Sequence, residues 1–162
     1  MARHSGFSLI EVLVSLVILT TGILGLARLQ GTSLRNAYHA HLHSLAISLA
    51  HDMTERLRIN RKYALHENTH YQIDSSTDST DITIDCTSTI CTDSEMAIFD
   101  INQWLQTINT LPNGKGHVSI NPVARSAIVT VMWNLHDNGA ADNECRSDSQ
   151  TNSNCVRLIS QP

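Results

Sequence analysis

Residues 7–27, FSLIEVLVSLVILTTGILGLA, form an apolar run of 21 positions with one ionisable side chain, Glu11. As an α-helix this run is about 31 Å long at 1.5 Å per residue, close to the roughly 30 Å hydrocarbon thickness of a bilayer. It therefore has the length of a membrane span. A secretory signal places a basic start before a shorter apolar run and puts the cleavage site after it, so the run is discarded. Here the short basic leader MARHSG comes first and ends in glycine, and cleavage after Gly6 would leave the apolar run on the mature chain.

Glu11 conflicts with that environment. A carboxylate alone in hydrocarbon costs roughly 2.5–3.5 kcal/mol or more, and a lone amine costs a similar amount. Cleavage after Gly6 would create a cationic amine at Phe7, which is the i−4 helical neighbour of Glu11. The carboxylate can pair with that amine or with the corresponding amine of an adjacent subunit. In the second case, burying the acid selects and registers a partner.

The stretch GFSLIEVLVSLVIL resembles the type III signal of type IV pilins and pseudopilins. The resemblance implies that a prepilin peptidase cuts after Gly6, that the new amine of Phe7 is methylated, and that Glu11 is the residue needed for subunit assembly. MAIFDINQWLQTINTLPNGKG, the cysteine pair before it and the following VMWN resemble the minor pilins of type IV pili. That likeness implies a low-abundance subunit without catalysis or cofactor, which helps to initiate pilus assembly with other minor pilins and is placed at or near the pilus tip. Its implied partners are minor and major pilins, the peptidase, the inner-membrane assembly platform and the membrane itself. A minor pseudopilin of type II secretion is the alternative.

The residues after the span support a small periplasmic part. Only 4% of the chain is aromatic and its net charge is −4, so the core must rest on aliphatic side chains and two tryptophans, and no overall attraction to nucleic acid is expected. Arg3 precedes the span while Arg28 and Arg35 follow it, so counting cations does not orient it. Four cysteines favour an oxidising compartment. Neighbour pairing, Cys86 with Cys91 and Cys145 with Cys155, is chosen among three connectivities, and neither pair has the C-x-x-C spacing of a zinc site.

Leu34, Tyr38, Leu42, Leu45, Leu49, Met53 and Leu57 recur at helical spacing, which extends the first helix to ERLRINRKY, where Arg56, Arg58, Arg61 and Lys62 suit a helix C-terminus. Gly22 and Gly25 each weaken that helix by about 1 kcal/mol relative to alanine. The Ser/Thr/Asp-rich stretch after Asp74 predicts a loop with a short strand around residues 82–84. Thr92 and Glu95 form a capping box that opens a second helix, whose core face is Ala97, Ile101, Trp104, Leu105, Ile108 and Leu111. HVSINP, SAIVTVMWNL and CVRLIS predict three strands. The fold class is thus α+β and pilin-like, with a long N-terminal helix packed on a small antiparallel sheet beside a second short helix. Its parts are leader 1–6, transmembrane half 7–27, amphipathic half 28–62 and periplasmic globular part 63–162.

HENTH, His66–His70, matches the zinc-protease pattern H-E-x-x-H, and His39 and His43 also lie one helical turn apart. The zinc pattern requires a rigid helix, whereas Asn68 and Thr69 are poor helix formers and a third ligand is unassigned. No metal site is assigned to either pair.

Overall fold

A computed structural model describes residues 8–79, 84–135, 145 and 153–162. Helix α1 runs over Leu9–Ile59, α2 over Arg61–Ala64 and α3 over Asp93–Ile108, followed by strands β1 (Lys115–Asn121), β2 (Ser126–Asn134) and β3 (Ser153–Ser160). The chain divides into two compact units, one ending at His41 and one beginning at Leu42.

In the first unit the apolar side chains of α1 are exposed; Leu9 is 79% and Leu24 70% accessible. The hydroxyls of Ser15, Thr20 and Thr21 donate to the carbonyls of Glu11, Val17 and Ile18, so each is satisfied within its own helix. A helix can carry such groups into an apolar medium because they need no outside partner. A Cβ added at Gly22, Gly25 or Gly31 would meet nothing.

The second unit is the globular part. Its core contains Leu42, Ala46, Leu49, Met53 and Leu57 of α1, the apolar face of α3 and the inner face of the sheet. The predicted stripe on α1 becomes buried from Leu42 onward, whereas Leu34 and Tyr38, which share the same spacing, are exposed. Periodicity identifies the face of a helix, not where along it burial starts.

Helix α3 begins as expected. Thr92 Oγ1 accepts from the Glu95 amide while the Glu95 carboxylate accepts from the Thr92 amide, and Ala97, Ile101, Trp104, Leu105 and Ile108 are all buried. Trp104 Nε1 donates to the Leu49 carbonyl at 2.8 Å, tying α3 to α1. Two glycines then permit close approach: a Cβ on Gly114 would lie 2.2 Å from the Ile108 carbonyl, and one on Gly116 would lie 2.5 Å from the Trp104 ring.

The sheet is an antiparallel meander of order β1-β2-β3. Gly116 pairs with Val131 across the first interface, and Met132 with Cys155 across the second. Ala127, Val129, Val131 and Trp133 alternate on the inner face of β2, as their period of two requires. The β1–β2 turn is held by the Asn121 side chain accepting from the Ala124 amide, and it ends on Arg125 at φ 50°. That left-handed conformation costs a non-glycine residue roughly 1–2 kcal/mol. Disulfides join Cys86 to Cys91 and Cys145 to Cys155, with Cα separations of 5.6 and 5.8 Å. Of the strand expected around residues 82–84, Ile84 is irregular and the other two positions lie outside the described residues.

Candidate functional site

The first turn of α1 contains Glu11, whose amide bonds the Ser8 carbonyl at 3.0 Å. Glu11 is exposed, and among the described residues its carboxylate has no hydrogen-bond or ion-pair partner. Gly6 and Phe7 lie outside the described residues. From Leu9 onward, α1 is the one described helix long and apolar enough to cross a membrane, and none of its most apolar window is buried inside the protein. The chain thus presents a membrane-length apolar surface with one acid near its start and nothing of its own, among the described residues, to neutralise that acid.

A second polar arrangement, unanticipated from the sequence, lies inside the globular part. Arg56 donates to Asp100 at 2.8 Å and to Asp52 at 3.0 Å. Asp100 also accepts from the buried Tyr71 hydroxyl at 2.6 Å. Asn60, at the break between α1 and α2, donates to the Tyr71 oxygen at 3.3 Å and to the Asp93 carbonyl at 2.7 Å. Burial first, and then the hydrogen bond to Asp100, push the Tyr71 phenol well above its ordinary value. The signal was present in the sequence. Asp100 lies three residues after Ala97 and four before Trp104, on the face that α3 must bury, and an acid there requires a cation. Arg56 therefore reaches across to α3 as well as sitting in the last turn of α1, the only role that the sequence suggested.

The histidine patterns take ordinary structural roles. His66–His70 lies in turns rather than on a helix. His66 Nδ1 accepts from the Asn68 amide, and the Tyr63 hydroxyl contacts both His70 Nδ1 and Ser94 Oγ. His43 packs edge-on to Trp133 with ring centroids 6.0 Å apart. Among the described residues no three His, Cys, Asp or Glu side chains converge as a metal site would require.

The acidic loop is organised by its own side chains. Asp74 accepts from the amide and hydroxyl of Ser76, and Asp85 from the amide and hydroxyl of Thr87. These bonds, the side-chain ones foremost, hold both carboxyls below the ordinary carboxylate value.

Residues 28–102 match the family model described as Tt1218-like, type IV pilin Tt1218. Residues 1–27 match the model of the prokaryotic N-terminal methylation motif. Neither a search of curated proteins nor one of solved structures found a match.

Proposed function

We propose that this chain, which carries a Tt1218-like type IV pilin segment behind an N-terminal methylation motif, is a minor pilin of the PilV type, helping to initiate pilus assembly with other minor pilins and placed at or near the pilus tip. Prepilin peptidase cuts after Gly6, and the new amine of Phe7 is methylated. Residues 7–27 cross the inner membrane in a single pass, and the globular part is in the periplasm until the subunit joins the pilus. The inner-membrane assembly platform and the other pilins are its partners.

The observation that carries this reading is the exposed, membrane-length start of α1 with Glu11 in its first turn and no partner for its carboxylate among the described residues. In hydrocarbon the carboxylate of such an acid is costly without a cation beside it, and the Phe7 amine of a neighbouring subunit supplies one. Membrane insertion alone does not need Glu11; joining a bundle of like helices in register does. The minor-pilin assignment rests on the Trp104-to-Gly116 segment and on the likeness of its sequence to that branch.

Glu11→Ala tests this. The variant is expected to be cleaved and inserted normally but to be depleted from sheared pili. Wild-type levels of the variant in pili would refute the pairing account. Pilus genes beside the coding sequence would support the pilus over a type II secretion pseudopilus, in which the same leader and helix would serve a different machine.

A further inference from the structure

Cations gather where the end of α1, α2 and the β1–β2 turn meet. Arg58, Arg61 and Arg125 line a cleft of about 590 Å³. Arg61, Lys62 and Arg125 also line a neighbouring cleft of about 670 Å³ whose apolar wall includes Ile59, Leu65 and Val123. Among the described residues no acidic side chain lines either cleft. Arg58 pairs with Glu55, but among the described residues Arg61, Lys62 and Arg125 form no ion pair. Ile59 is 85% and Val123 93% accessible. Arg125 holds its charge there at a backbone angle that glycine or asparagine would adopt more cheaply.

The complementary surface is on the same chain. From Tyr63 to Gly114 there is no lysine or arginine. Within that stretch the Cys86–Cys91 disulfide closes a short loop that presents Ile90 fully to solvent, and the exposed side chain of Asp85 immediately precedes it. An apolar tip next to a carboxylate is the chemistry that an apolar wall beside three cations accepts.

We propose that the Asp85–Cys91 loop of one copy of this chain docks on the Arg61, Lys62 and Arg125 cleft of a second copy, with Ile90 against Ile59, Leu65 and Val123. The contact joins two different patches, so it is heterologous and can repeat from copy to copy. It rests on these surfaces and not on Glu11, so its failure leaves the pilin reading standing.

The test uses the full-length protein in detergent micelles with a photo-crosslinking amino acid in place of Ile90. Irradiation is expected to give a dimer whose crosslinked peptide maps to residues 59–65 or 122–125. Arg61→Glu with Arg125→Glu should lower the yield at least about tenfold, since like charges are then juxtaposed, and Asp85→Lys on the probe-bearing copy should restore much of it. Val123→Asp, at a site too exposed to disturb folding, should lower the yield as well. Crosslinks to another surface, a yield indifferent to these charges, or no dimer from protein with native tryptophan fluorescence would overturn the proposal. Loss of the dimer on nuclease treatment would also overturn it, by showing that nucleic acid bridged the copies.

Discussion

Replacing Asp100 by alanine removes one carboxylate that two elements share. Tyr71 is fully buried, and Asp100 accepts its hydroxyl proton at 2.6 Å. Without that acceptor the hydroxyl keeps only the 3.3 Å contact in which Asn60 is the donor. Orphaning a buried donor costs about 1–3 kcal/mol. Arg56 loses its 2.8 Å partner but keeps Asp52, and its side chain is 20% accessible. That loss is worth about 1 kcal/mol, below the 3–5 kcal/mol of a fully buried broken pair. The two losses share one group and are not strictly additive, so the expected destabilisation is about 2–4 kcal/mol. Urea unfolding of the full chain in detergent micelles, read by the fluorescence of Trp104 and Trp133, measures it. With a urea slope of about 2 kcal/mol per molar, the midpoint should fall by roughly 1–2 M. Asp100→Asn retains an acceptor for Tyr71 and should cost about half as much, while Asp52→Ala, at the exposed end of the network, should cost less than about 0.5 kcal/mol. A loss below about 1 kcal/mol for Asp100→Ala, or no difference between the Ala and Asn variants, would refute the reasoning.

Gly116→Ala puts a methyl group 2.5 Å from a Trp104 ring that is fully buried and anchored to Leu49; overpacking of this kind should destabilise by about 1–3 kcal/mol and shift tryptophan emission. Thr92→Ala removes the oxygen that caps α3 and should cost about 1 kcal/mol in the same unfolding assay. Tyr71 should make stability depend on pH only on the alkaline side. The folded state keeps the phenolic proton above the ordinary value of 10.0 while the unfolded chain releases it, so the Tyr71 contribution to stability is constant up to that pH and falls as pH rises beyond it. Comparing urea midpoints of the wild type and Tyr71→Phe across that range checks this, since the Phe variant should lack the Tyr71 contribution to the slope.

Much of the fold was legible because local rules and burial agreed. The Thr92–Glu95 box and the spacing from Ala97 to Ile108 define α3, and alternation from Ala127 to Trp133 defines β2 with its correct inner face. What escaped depended on which parts meet. Nothing local distinguishes Leu34 from Leu42 on α1, yet Leu42 is buried and Leu34 exposed. Arg56 looks like any cation in a last helical turn until Asp100 is seen facing it across 44 residues. The HENTH spacing satisfies a metal pattern, but turn-forming neighbours leave it off any helix and its histidine nitrogens in local hydrogen bonds. At the candidate assembly site the sequence alone carried the argument, because the partner proposed for Glu11 belongs to another subunit.

The central claim is most directly tested by mass spectrometry of the N-terminal peptide of this chain recovered from sheared pili. The account predicts a peptide beginning at Phe7 and carrying a methyl group on its amine. A chain that still begins at Met1, or one absent from the pilus fraction while abundant in the membrane, would contradict it.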